Sequence, residues 1–200
     1  MVPCRCWFKR LLALNLQINE VETKVLDIDE AVVRARLAEL GAKQIADGRL
    51  RVWWYGVRYV SAEEQPWRLR IRTGHGKSEV TWKGKAAAGA ITRTVEELQT
   101  TVTDPEILGA IFEKIGFEQS AYQEKDRTSW EYQTFRFDLD QYPGIPAFIE
   151  IEAPTEEKIK EAIKLLGLEG KKTWTTGERR LVEQVYHLNW HQMHFDSKKQ

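Results

Sequence analysis

The chain has 200 residues, 42% of them hydrophobic and 30% charged, enough apolar mass for one buried core with decoration. Thirty basic residues balance thirty acidic ones, which excludes a bulk nucleic-acid binder with its usual basic excess, though not a local basic site. Cys4 and Cys6 stand too close for an ordinary disulfide and no second pair offers zinc ligands, so a reducing cytoplasm is expected; no apolar run is long enough to span a membrane.

In chain order, residues 1–17 read as an extension outside the domain. The first strand is predicted over Glu20–Leu26, followed by a helix in DIDEAVVRARLAELG that Asp27 or Asp29 caps and Gly41 stops. Strands follow at Arg49–Tyr59, Trp67–Arg72 and Glu79–Lys83, with Gly74-His75-Gly76 as a hairpin turn and the small-residue stretch Lys83–Ala90 as a mobile loop. The strand Thr92–Thr101 leads into a helix capped by Asp104, with Pro105 at its first position and Gly116 at its end. Three more strands are predicted at Tyr122–Tyr132, Thr134–Asp140 and Ala147–Glu152. A helix from Thr155 to Gly167 follows, then a weaker one around Glu178–Tyr186, and a tail over residues 189–200.

A half-repeat runs through this order. Glu20 lies seven residues before Asp27, and Glu97 seven before Asp104; each unit is a strand, a capped helix, a glycine and a return strand. Such a plan closes into a barrel or a strongly curved sheet.

The strands are charged on one face and apolar on the other. Side chains two apart share a face, so Glu20, Glu22 and Lys24 oppose Val21, Thr23 and Val25. The same holds for Arg68, Arg70 and Arg72, for Lys125 and Arg127, for Asp138 and Asp140, and for Glu150 and Glu152. A sheet with one wet face would explain the alternation, but wet faces mix their polar residues, and runs of like charge cost stability unless neutralised. The amphipathic helices also need an apolar surface to cover. The pattern therefore favours apolar faces outward beneath helices and charged faces inward around a tunnel.

One pole of that tunnel would hold Glu20, Glu22, Asp140, Glu150 and Glu152, hard oxygen donors that suit Mg²⁺ or Mn²⁺ rather than zinc. The other would hold Lys24, Arg68, Arg70, Arg72, Lys83, Arg93, Lys125 and Arg127, which suit a polyanion. Divalent metal with guanidinium clamps is the chemistry of phosphoryl transfer. Three weaker signals are set aside. His187, His191 and His194 lack an acid or cysteine partner; GHGKS has Ile71 where a P-loop needs its opening glycine; and Trp53 and Trp54, facing opposite ways, are read as packing residues.

The residues carry a resemblance to the CYTH superfamily of triphosphate tunnel metalloenzymes, which includes class IV adenylyl cyclases, thiamine triphosphatases and inorganic triphosphatases. EVETK is similar to that family's ExExK signature, and LRIR, VTWKGK, KDR, FDLDQYPGIP and FIEIE follow in family order over roughly residues 18–188. The resemblance implies an α+β fold: a closed eight-stranded antiparallel β-barrel with helices packed outside. It implies Glu20, Glu22, Asp140, Glu150 and Glu152 as ligands of Mg²⁺ or Mn²⁺. It implies Lys24, Arg70, Arg72, Lys83, Lys125 and Arg127 as phosphate binders, with Arg93 standing in where relatives place an arginine at the position of Val95. Lys24, Glu20 and Glu22 are its implied catalytic residues, Lys24 as a base or phosphate contact. The expected partner is a triphosphate-containing small molecule (tripolyphosphate, ATP or thiamine triphosphate), with neither nucleic acid nor membrane; a homodimer is left open. Three functions compete: a metal-dependent triphosphatase, a class IV adenylyl cyclase, and a non-catalytic polyphosphate-binding module.

Overall fold

The structure is a computed structural model that describes residues 18–61 and 64–195, with side chains from residue 21 onward. The predicted extension 1–17 lies outside the described residues. Strand β1 (Ile18–Val25) leads into helix α1 (Glu30–Glu39), then β2 (Lys43–Val57), β3 (Arg68–Gly74), β4 (Lys77–Lys83), the short β5 (Ala87–Ala88) and β6 (Arg93–Thr101). Helix α2 (Pro105–Lys114) precedes β7 (Phe117–Tyr132), β8 (Phe135–Gln141) and β9 (Phe148–Ala153). Helix α3 (Glu156–Leu165), β10 (Thr173–Trp174), α4 (Glu178–Arg180) running into a π turn at Leu181–Val185, and β11 (Gln192–Met193) complete the chain.

Local chemistry sets the helix ends. The side chains of Asp29, Asp104 and Thr155 accept from the backbone N–H groups of Val32, Ile107 and Lys158, each three residues on. Of the two predicted caps for α1, Asp29 serves. Its far end closes with Ala42 N donating to Leu37 O at 2.9 Å and Gly41 N to Ala38 O at 3.0 Å, a double-bonded stop that needs the left-handed φ of +73° at Gly41.

Eight strands close on themselves in the order β1-β9-β8-β7-β2-β3-β4-β6 and back to β1, every neighbouring pair antiparallel. Closure comes from β1, which pairs with β9 along Val21–Val25 and with β6 along Ile18–Glu22. The half-repeat is visible here: the first strands of the two units, β1 and β6, pair with each other, and so do the return strands, β2 and β7. The expected closed eight-stranded antiparallel barrel with outer helices is the observed fold.

Five features differ from expectation. Strands β2 and β7 begin six and five residues early (Lys43 against Arg49, Phe117 against Tyr122), because they pair with each other well past the barrel wall, where polar sequence carries no alternation. The stretch expected to be a mobile loop is tethered: Ala87 and Ala88 pair with β6, and Glu156 accepts from Ala90 N at 3.1 Å and Thr92 Oγ1 at 2.8 Å. The helix expected around Glu178–Tyr186 is a three-residue turn followed by a π turn. The tail expected from residue 189 starts too early, since Trp190 and Met193 are buried and Gln192–Met193 pair parallel to β7.

The core sits outside the barrel wall. Val25, Phe137, Ile149 and Ile151 turn outward onto Val33 and Leu37 of α1 and Ile159, Ala162 and Ile163 of α3. Tyr55 and Ile71 do the same beneath Phe112 of α2, with Trp53 beside them. At one end the inward positions also turn apolar. Leu26, Ala121, Tyr142 and Phe148 meet Leu181, Val182, Trp190 and Met193 of the C-terminal segment, with Trp54 packed against them. Among the described residues no helix is long and apolar enough to cross a membrane.

Candidate functional site

Register places the charged residues side by side in the barrel interior. On β1 and β9, Glu22 lies opposite Glu152 and Lys24 opposite Glu150. On β9 and β8, Glu152 faces Arg136 and Glu150 faces Asp138; on β8 and β7, Asp140 faces Arg127. Across the barrel, Arg70 and Arg72 of β3 adjoin Thr81 and Glu79 of β4, and Lys83 adjoins Glu97 of β6. On β1, β3, β8 and β9 the charges point inward because the alternate side chains are committed to the apolar outer layer.

The two separate poles expected from sequence do not exist; acids and bases interleave. Lys24, 1% exposed, places its Nζ 2.5 Å from Glu150 Oε2 and 3.3 Å from Glu22 Oε1. Arg93 Nε donates to Glu22 Oε1 at 2.6 Å. Arg127 is the hub: it donates to Asp138 at 2.5 Å, to both oxygens of Asp140 at 2.6 and 2.5 Å, and to Glu150 at 3.0 Å. Lys125 Nζ donates to Asp140 Oδ2 at 2.9 Å and to Glu178 Oε1 at 2.8 Å. Lys83 pairs with Glu97, and Arg72 donates to Glu79 at 2.7 Å. Arg70 is 3.5 Å from Glu97 and leaves its buried Nε without a hydrogen-bond partner. The reason for interleaving is desolvation: a buried charge survives only beside an opposite one.

The ionisation equilibria follow from the same geometry. Burial and the neighbouring Glu150 push the Glu22 carboxyl up, but Lys24 and Arg93 outweigh them and hold it below its ordinary value. For Glu150, burial is overcome by Lys24, Arg127 and Lys125, which keep it well below the carboxylate range. Burial would depress Lys24, yet Glu150 and Glu22 hold its ammonium above the usual lysine value against the opposing Arg93. Arg72 goes the other way: burial, then Arg70 and Arg127, lower it despite its bond to Glu79. That side of the tunnel has room for an anion. A cavity of about 140 Å³ opens there, with Arg72, Arg127, Arg136, Lys77 and Glu79 among its lining residues.

A pH prediction follows from Glu79. Burial raises its pKa, but hydrogen bonds from Lys77 and Arg72 lower it below the ordinary 4.5. Its unfolded form then binds protons more readily than its folded form, so its contribution to stability is present above pH 4.5 and lost as pH falls through the folded value. Resistance to urea unfolding should weaken steadily below that pH, and Glu79→Gln should make the acid limb shallower. An unchanged acid limb in the variant would count against this ion pair.

The structure brings together Glu22, Lys24, Asp140, Glu150, Lys125 and Arg127, with Glu152, Arg93, Arg70, Arg72 and Lys83 on the same inner surface. Arg68 differs: it is exposed and donates to the carbonyls of Gln65 and Trp67. The side chain of Glu20 lies outside the described ones. Four interior acids went unselected in sequence: Glu79 and Glu97, which pair with Arg72 and Lys83, and Asp138 and Glu178 in the central cluster. Asp138 shares its face with Asp140 and had a readable signal; it accepts from both Arg127 and Arg136. Glu178 had none, because it reaches the tunnel from the irregular C-terminal segment, where no strand phase applies.

Two groups of three carboxylates bring one oxygen each within 4.8 Å of one another: Glu22, Glu150 and Glu152, and Asp140, Glu150 and Glu178. Both contain Glu150. All-carboxylate sets of hard oxygen donors fit a divalent cation such as Mg²⁺ or Mn²⁺.

A closed antiparallel barrel whose interior is a dense lattice of carboxylates, lysines and arginines defines a charged-tunnel protein. The CYTH domain model matches residues 19–173, and the chain belongs to that family. A Methanocaldococcus jannaschii protein named "Putative adenylate cyclase" is 30% identical over 147 residues, which cover 74% of this chain and 83% of the relative. Among solved structures, a Pyrococcus horikoshii OT3 protein superposes with a TM-score of 0.66 at 21% identity, covering 83% of this chain and 99% of its own. HpAC1 from Hippeastrum, described as a putative adenylyl cyclase with a dominant triphosphatase activity, superposes with a TM-score of 0.61 at 15% identity, covering 88% and 99%. These two likenesses show the shared fold.

Proposed function

We propose that the protein is a divalent-metal-dependent triphosphatase acting on the terminal phosphate of an inorganic or organic triphosphate held inside the barrel. The observation that supports this most is the juxtaposition of the Glu22/Glu150/Glu152 carboxylates with Lys24, Arg93, Lys125 and Arg127 in one enclosed interior. Glu22, Glu150 and Glu152 are the residues proposed to hold Mg²⁺ or Mn²⁺, with Glu20 and Asp140 as further ligands. When bound, the metal supplies charge neutralisation at phosphate oxygens and a lowered pKa for bound water.

The chain's own cations do the rest. Arg70, Arg72, Lys83, Arg93, Lys125 and Arg127 are proposed to grip the phosphate oxygens, which fixes the chain of phosphates along the tunnel and offsets charge building on the leaving diphosphate. Water oxygen adds to the γ-phosphorus, the β–γ bridging oxygen departs, and orthophosphate and the diphosphate are released. Lys24 is assigned as a donor to a phosphoryl oxygen rather than a base, because Glu150 and Glu22 hold it as an ammonium. HpAC1, described as having a dominant triphosphatase activity, adds support from a shared fold.

A second reading, class IV adenylyl cyclase, is supported by the name of the Methanocaldococcus jannaschii relative. In it the ribose 3′-hydroxyl attacks the α-phosphorus of ATP and pyrophosphate leaves. One assay separates the two, and separates both from a module that only binds polyphosphate. The purified protein is incubated with Mg²⁺ or Mn²⁺ and tripolyphosphate, ATP or thiamine triphosphate, and the products are identified. Orthophosphate that disappears in Glu22→Gln is expected; cyclic AMP with pyrophosphate would establish the second reading. No turnover of any triphosphate with either metal would refute both.

A further inference from the structure

Charge balance among the tunnel's own side chains bears on how any polyanion enters. Every strong phosphate-binding candidate near the centre is already engaged by a carboxylate. Glu22, Asp138, Asp140, Glu150 and Glu152 sit on barrel strands, fixed by ladders on both sides. They can exchange partners but cannot leave. Among the described acids of this central cluster, Glu178 alone comes from outside the barrel wall.

Its attachment is also the least regular. Glu178 opens a three-residue helical turn whose N-cap, Gly177, makes no side-chain capping bond, and a π turn follows at once. The hydroxyl of Thr176, two residues earlier, is buried without a hydrogen-bond partner. Beyond it, Leu181 and Val182 are fully buried and anchor the segment from behind. What holds the carboxylate itself is polar: Lys125 Nζ donates at 2.8 Å to one oxygen and Tyr142 Oη donates at 2.7 Å to the other. An ammonium and a hydroxyl, converging on two oxygens of one anion, would serve a phosphate equally well.

We propose that Glu178 is an internal stand-in for a substrate phosphate: it occupies Lys125 and Tyr142 until a phosphate group of the substrate displaces it. The inference rests on the reading of Lys125 as a phosphate contact. It assigns the last part of the chain a role in setting affinity, since each binding event must first release a charge-assisted pair. The barrel acids impose no such exchange at this position, because they stay where they are.

The test is calorimetric binding of inorganic tripolyphosphate to the full chain in the presence of EDTA, so that no metal contributes. Glu178→Gln should bind about tenfold more tightly than the parent, equivalent to about 1.4 kcal/mol. Glu178→Asp, which keeps the charge but draws it back from Lys125 and Tyr142, should tighten binding by about two- to threefold. It carries the test if the glutamine variant fails to fold by circular dichroism. Lys125→Ala should weaken binding, and adding Glu178→Gln to it should give no further gain. Equal or weaker binding by Glu178→Gln, with Lys125→Ala weakened as expected, would overturn the stand-in and leave the phosphate reading intact. Unchanged binding in Lys125→Ala would overturn both.

Discussion

Glu150→Gln should cut kcat/KM for the preferred triphosphate by about a thousandfold or more, a loss of roughly 4 kcal/mol in transition-state stabilisation. The substitution is nearly isosteric and changes one charge. That charge belongs to both carboxylate groups that fit a metal, and it also pairs with Lys24 at 2.5 Å and Arg127 at 3.0 Å. Losing it weakens the proposed metal group of Glu22, Glu150 and Glu152 and frees two cations to bind phosphate too early. The change should therefore fall on kcat, and raising Mg²⁺ or Mn²⁺ should restore little of it. KM should hold or fall, because the released Lys24 and Arg127 attract the polyanion. Activity within threefold of the parent would show that the acids of the barrel centre are structural.

Arg127→Ala should destabilise the fold by about 3–5 kcal/mol, read as a drop in the urea midpoint at constant slope. Arg127 is 5% exposed and bonds three carboxylates, Asp138, Asp140 and Glu150. Its removal leaves them facing one another with only Arg136, Lys125 and Lys24 in reach. Burial without compensation, rather than the lost bonds themselves, accounts for the size of the effect. Two companion variants make the cause visible. Arg127→Lys should recover only part of the loss, since one ammonium cannot reproduce a guanidinium fork. Asp138→Asn should be harmful in the parent but should relieve the Arg127→Ala variant, a non-additive pair. A loss below about 1 kcal/mol for Arg127→Ala would mean that these acids are solvated inside the tunnel.

These expectations rest on residues that were legible to different degrees. Glu22, Lys24 and Glu150 could be placed inward from alternation, because Val21, Val25, Ile149 and Ile151 flank them, whereas Arg127 lies between Asp126 and Thr128 and was implied by the resemblance of its KDR motif. Asp138 carried the same signal as Asp140, since both alternate with Phe137 and Leu139 within FDLDQYPGIP. Glu178 carried no such signal. It lies in an irregular turn whose position depends on Leu181, Val182 and Trp190 packing into the barrel end.

The sequence by itself determined the faces of the strands that alternate charged with apolar residues, the helix caps at Asp104 and Thr155, and the duplicated strand-helix-strand plan; it narrowed the first cap to Asp27 or Asp29. Each depends on neighbours within a few positions, where side-chain periodicity and backbone hydrogen bonding act directly. Only the tertiary structure decided which charges meet. Two poles drawn along the sequence became one interleaved lattice, because register across the barrel sets Lys24 opposite Glu150 and Arg127 opposite Asp140. Burial then rewards each charge for lying beside its opposite, and that energy belongs to the closed barrel, not to any one strand.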